Sequence, residues 1–132
     1  MPRVNAERLP SGHYFACVIY PSENEQHLNV LNYCLSHFKC VYILHQPEDD
    51  TKKEHVHLLF DTKSRYTVNG IIRFFAGWID YVELLTNPDA YLRYMLHDTP
   101  QAIIDGKKPY SFDDLKGDES LKKRIVQNSN FV

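Results

Sequence analysis

Two histidines separated by one residue, His55 and His57, lie in the apolar run from Glu54 to Phe60. In an extended strand alternate side chains share a face, so these two imidazoles would converge on one point. A third histidine, His45, ends the earlier run that begins at Cys40. The polar loop from Gln46 to Lys53 would let the chain return as an antiparallel partner and bring His45 beside the pair. That loop also offers Glu48, Asp49 and Asp50 as oxygen ligands. Imidazoles with one carboxylate and open positions favour Mn²⁺ or a similar transition ion over an all-oxygen Mg²⁺ or Ca²⁺ cage. Mg²⁺ ranks next, and Zn²⁺ lower, since no cysteine is placed to close a structural site.

A tyrosine-rich stretch, Tyr91 to His97, follows Asn87-Pro88-Asp89, a helix-start signal. Tyr91, Tyr94 and His97 recur every three residues along one side of the predicted helix. A phenol with an ordinary pKa of about 10 is a poor nucleophile. To attack phosphorus it needs a cation to stabilise charge and an acceptor for its proton. A divalent ion in an open site would meet the first need. The residues alone leave both tyrosines open as the nucleophile, and rim packing with the hydroxyls facing out is the plainer account of each.

The elements that must position these groups can be read along the chain. Residues 1 to 12 are a polar tail ending in Pro10-Ser11-Gly12, and the single domain is expected to run from 13 to 132. His13 to Tyr20 reads as a strand that is central or covered on both faces. Ser22 and Glu25 form a capping-box signature before a helix whose inward face would carry Leu28, Leu31, Cys34, Leu35 and Phe38. Strands are expected over Cys40 to His45, Glu54 to Asp61 and Ile79 to Leu85, and a helix over Thr67 to Phe75 ended by Gly77. Ser111 with Asp114 would cap a last helix reaching Val126. The order predicts an α+β fold in which helices cover an antiparallel sheet of about five strands.

With 132 residues there is room for one compact domain. The longest apolar runs are too short to span a bilayer. Cys17, Cys34 and Cys40 are odd in number, lack C-x-x-C spacing and sit in apolar segments, which predicts buried thiols in a reducing compartment. Met1 to Glu7 has no apolar stretch, so no signal peptide and a cytoplasmic location are expected. Fifteen Lys and Arg against 17 Asp and Glu give a net charge of -2, which makes no general electrostatic case for nucleic acid. Any such contact must use local patches: Lys52-Lys53, Lys63 with Arg65, and Lys107-Lys108 in segments that read as loops, and Arg73 and Arg93 on predicted helices.

Taken together, these segments resemble the HUH endonucleases, and most closely the rolling-circle replication initiator (Rep) proteins of plasmids. His13 to Pro21 is similar to the family's first strand, His45 with its acidic loop to an early metal motif, and His55-Val56-His57 to the H-hydrophobic-H motif. Tyr94 to Asp98, with Ala102-Ile103 and Lys107 to Tyr110, resembles the catalytic-tyrosine segment and its sequel, so the likeness spans roughly residues 13 to 115. The resemblance implies a ferredoxin- or RRM-like fold and an enzyme that nicks and rejoins one DNA strand at a plasmid origin through a 5′-phosphotyrosine link. It implies Tyr94 as nucleophile with Tyr91 in reserve, His97 in a supporting role, and His45, His55 and His57 as metal ligands. Where relatives carry aspartate three residues after the first histidine, Glu48 stands here, with Asp49 and Asp50 as alternatives. The implied partners are origin DNA, single-stranded at the nick, host replication proteins and a second copy of the chain, with no membrane. The chain reads as a minimal initiator or the catalytic part of a longer one.

Two other classes fit parts of the pattern. A single-tyrosine transposase shares the H-hydrophobic-H motif and the helical tyrosine. A non-catalytic module that stacks single-stranded bases on sheet aromatics would not need three converging histidines. A zinc-supported regulatory domain is a weaker third.

Overall fold

The computed structural model describes residues 9–46 and 53–127. Strand β1 (Ser11–Ile19) leads through helix α1 (Gln26–His37) to β2 (Lys39–His45), and β3 (His55–Thr67) follows. Helix α2 (Val68–Phe74), β4 (Glu83–Leu84), α3 (Pro88–Met95) and α4 (Pro100–Ile104) come next. A 3-10 turn (Phe112–Asp114), β5 (Lys116–Gly117) and α5 (Glu119–Gln127) complete the described order. The sheet is antiparallel throughout, with strand order β4-β1-β3-β2-β5.

β1 and β2 therefore run in the same direction with β3 between them, and β3 and β4 likewise flank β1. These are two interleaved β-α-β units, the ferredoxin-like arrangement, with β5 added at the β2 edge. The fold class expected from the sequence, α+β with helices over an antiparallel sheet, is the one observed. Among the described residues no helix is long and apolar enough to cross a membrane.

The sheet is covered on both faces. Phe15, Cys17, Ile19, Val56, Leu58 and Phe60 pack against α1 and α2 through Val30, Leu31, Cys34 and Ile71. The alternate residues Ala16, Val41, Ile43 and Leu59 face α3 and α5 through Leu92, Met95, Leu121 and Ile125. β3 is consequently buried without a break from His55 to Thr62, as a central strand between two helical layers must be.

Several boundaries differ from the sequence reading, each for a local reason. The first strand begins at Ser11, not His13, because Ser11 and Gly12 pair with Thr67 and Tyr66 at the far end of β3. The Ser22–Glu25 capping box is not formed. Residues 21–25 turn instead, and Asn24 Oδ1 accepts from the Gln26 amide at 3.0 Å. α1 buries Val30, Leu31 and Cys34, while Leu28 and Leu35 are exposed, so its inward face is centred on Val30. Lys63 and Arg65 lie in the second half of β3, not in a loop, with Lys63 at φ 69° where the β1–β3 register shifts. The strand expected over Ile79 to Leu85 shrinks to Glu83–Leu84, because the buried residues Ile79 and Val82 are spaced by three, which a strand cannot present on one face. Ser111 and Asp114 do form a capping box, but it closes only the 3-10 turn, and the last helix starts afresh at Glu119. Gly117, at φ 115°, separates the two.

All three cysteines are buried free thiols. Burial raises Cys17 to about 12 and Cys40 to about 11, and pushes Cys34 higher still. The folded state thus holds these protons more tightly than the unfolded chain. Their contribution to stability is complete below the unfolded thiol value of about 8.5 and is lost as pH rises toward the folded values, by up to about 1.4 kcal/mol per pH unit for each thiol. Urea midpoints measured from pH 7 to 10 should fall above about pH 8.5, and a flat profile would contradict this. Gly117→Ala should be more damaging, since an added Cβ would lie 2.2 Å from the Cys40 carbonyl oxygen. The positive φ alone costs roughly 1–3 kcal/mol in a non-glycine residue, so urea unfolding should show at least that loss.

Candidate metal and tyrosine site

The three histidines arise from adjacent strand ends on the face covered by α3. His45 lies directly opposite His55 in the β2–β3 ladder, and His57 follows two residues on, on the same face. Ring centroids are 5.2 Å apart for His45–His55, 4.5 Å for His45–His57 and 5.0 Å for His55–His57. One nitrogen from each lies within 4.8 Å of the others, and the three are 1%, 2% and 4% exposed. Burying three imidazoles together costs free energy unless their N–H groups find acceptors.

The structure provides them. His45 Nε2 donates to the Met95 carbonyl oxygen at 2.7 Å, and His55 Nδ1 donates to the Lys53 carbonyl oxygen at 2.6 Å. In neutral rings this leaves the lone pair on His45 Nδ1 and His55 Nε2. His57 Nδ1 lies 3.1 Å from the Tyr91 hydroxyl. Metal-binding histidines characteristically hand their second N–H to such oxygens, so the donor set fits a divalent ion. The expected carboxylate ligands Glu48, Asp49 and Asp50 lie outside the described residues.

Two tyrosines flank the triad in different ways. Tyr94 is 45% exposed, and its ring meets His57 edge-on at 5.3 Å. Tyr91 is half-buried with its hydroxyl on His57, and burial raises its pKa well above the ordinary phenol value. It is therefore harder to ionise than an exposed tyrosine. The structure places the exposed phenol at Tyr94 and gives Tyr91 a supporting hydrogen bond.

His97 joins the site by a route other than the one predicted. α3 ends at Met95, and His97 does not continue its face. It takes φ 59°, while the Asp98 amide bonds to the Arg93 carbonyl at 2.8 Å and the His97 amide to the Tyr94 carbonyl at 3.2 Å. This is a Schellman cap with histidine at the position usually given to glycine. The reversal brings the buried His97 ring to 4.3 Å from His45, with Nδ1 donating to the Lys108 carbonyl oxygen at 2.7 Å.

A cavity of about 110 Å³ is lined by His45, His55, His57, Tyr94, His97, Thr99, Gln101, Ala102, Asp105 and Lys107. The sequence reading did not single out Thr99, Gln101 and Asp105. Thr99-Pro100, a cap followed by proline, marks the start of α4, and Thr99 Oγ1 accepts from the Ala102 amide at 3.2 Å. Tyr110, placed before only by resemblance, stacks on His45 at 5.0 Å with rings 5° from parallel.

The basic residues are dispersed. Lys107 lines the cavity, and Lys108 is exposed with its ammonium 5.8 Å from the Tyr110 ring centroid. Arg93 pairs with Asp98 at 3.1 Å and Lys53 with Glu23 at 3.2 Å. Arg65 donates to the Ser11 carbonyl oxygen at 2.7 Å, far along β3 from the histidines. Arg73 is exposed on α2, across the sheet from them, and Lys52 lies outside the described residues.

No family model and no curated protein matches this chain. Calorimetric titration should show one Mn²⁺ or Zn²⁺ ion bound per chain. His55→Ala and His57→Ala should each weaken binding by at least about 100-fold, the upper end of what loss of an outer partner costs. Unchanged affinity in both variants would remove the triad as the metal site.

Proposed function

We propose that this chain is a metal-dependent DNA strand-transferase of the HUH type, acting as a plasmid rolling-circle replication initiator. The observation that carries the proposal is the exposed Tyr94 ring set against His57, one of three buried histidines able to hold a divalent ion. A divalent ion, Mn²⁺ being the best match to nitrogen donors with open positions, would polarise the scissile phosphate and stabilise charge on the attacking phenol.

The chain's own groups supply the rest. Tyr94 Oη attacks phosphorus as its phenolic proton passes to solvent water, and the phosphorus–O3′ bond breaks, so the 3′ oxygen departs and takes a proton from water. One phosphodiester replaces another, which makes the step reversible and allows rejoining. His97, anchored through Nδ1 to the Lys108 carbonyl oxygen, lines the cavity wall against which the substrate would lie. Lys107 lines the same cavity and contributes a cation toward a phosphate. Tyr91 is not the nucleophile in this reading, because its hydroxyl is committed to His57.

Incubation with Mn²⁺ and supercoiled DNA carrying the sequence that flanks the coding region should give nicked circles and a covalent protein–DNA band. Both should vanish with chelator and in Tyr94→Phe, while Tyr91→Phe retains the covalent band at saturating Mn²⁺. An adduct that persists in Tyr94→Phe would move the nucleophile elsewhere. Binding of single-stranded DNA with no metal-dependent cleavage would favour a non-catalytic module.

A further inference from the structure

The three histidines do not hold their tautomers by equal means. His45 and His55 donate to backbone carbonyls, which only accept, so the protonated nitrogen of each is fixed. His57 faces a hydroxyl, which can accept or donate. If Tyr91 donates, His57 carries its proton on Nε2 and cannot ligate there. If His57 Nδ1–H donates, Nε2 bears the lone pair, and the ring joins the donor set.

We propose that Tyr91 is the positioning residue of the metal site, accepting the His57 Nδ1–H and so presenting Nε2 to a divalent ion. The proposal rests on the reading of the triad as a metal site and assigns the tyrosine that the sequence offered as a second nucleophile. Its placement supports the role. Tyr91 stands on α3 one turn before Tyr94, the two rings 5.5 Å apart, and its ring lies 6.1 Å from His57. The same helix ends at Met95, whose carbonyl fixes His45. One short helix thereby sets the tautomers of two ligands and carries the exposed phenol between the residues that do so. Ligand geometry and tyrosine position are thus coupled through a single rigid element.

The test compares the unmodified protein with Tyr91→Phe, which keeps the ring and removes the hydroxyl. Calorimetric titration with MnCl₂ and ZnCl₂ should show affinity falling about 10–100-fold, the range for loss of an outer-shell partner. Nitrogen-15 spectra of the Zn²⁺-loaded unmodified protein should show His57 bound through Nε2 with Nδ1 protonated and hydrogen-bonded, a signature that general loosening of the fold does not produce. Should Tyr91→Phe fail to fold, this spectrum decides alone. Ligation through Nδ1, or Tyr91→Phe affinity within twofold of the unmodified protein, would overturn the inference and leave the metal site standing. Failure of the unmodified protein to bind either ion would overturn the metal reading itself, and this inference with it.

Discussion

The hydrogen bond from His45 Nε2 to the Met95 carbonyl oxygen joins the end of a strand to the end of a helix, and the site is arranged around it. Met95 O belongs to the last turn of α3, where carbonyls have no partner within the helix. Bonding it to a buried imidazole satisfies two groups that would each cost free energy alone. The same bond docks the C-terminal end of α3 over the strand ends. Leu92 and Met95, fully buried, then fill the face beside Leu59 and Ile43, and Tyr91 and Tyr94 come to flank His57. The packing of one amphipathic helix therefore also sets the geometry of the chemistry.

Much of the fold was legible because period-two and helical patterns coincide with real layers. The apolar run from His13 to Tyr20 announced a strand that is central or covered on both faces, as β1 is, and the return through a polar loop brought His45 beside His55 and His57. What was not legible depended on partners distant in sequence. Ser11 and Gly12 become strand only because β3 extends to meet them. Arg65 belongs to that extension, although a polar Lys63-Ser64-Arg65 segment carries no strand signature by itself. Leu28 and Leu35 looked as suited to the core as Leu31, and only the position of the sheet decides which side of α1 is inside.

At the site, residue types were legible and roles were not. Three histidines and two tyrosines could be chosen from spacing, yet which phenol is exposed depends on how far α3 is rotated against the sheet. His97 illustrates the difficulty. Spacing placed it on the helix face, but it sits in the left-handed region after the helix ends, where glycine is the usual residue. A histidine there carries a conformational cost of roughly 1–3 kcal/mol that packing must offset. The offset is visible in its buried ring and its bond to the Lys108 carbonyl, contacts that glycine would forfeit.

The charge and size of the cavity together restrict what the site can take. Imidazole ligands bring no negative charge, so a divalent ion held by the three histidines would be offset, among the described lining residues, by the Asp105 carboxylate alone, and it would still attract an anion. At about 110 Å³ the space is well below the roughly 300 Å³ at which small-molecule pockets begin. A phosphate group can reach in where a nucleoside cannot. On the proposed reading the remainder of the substrate would lie across the mouth, where Tyr94 is exposed and Lys107 lines the wall. On the reading proposed above, a divalent ion at the buried histidines with the exposed Tyr94 phenol at its edge would suit a polymer that offers one phosphodiester at a time better than a small metabolite.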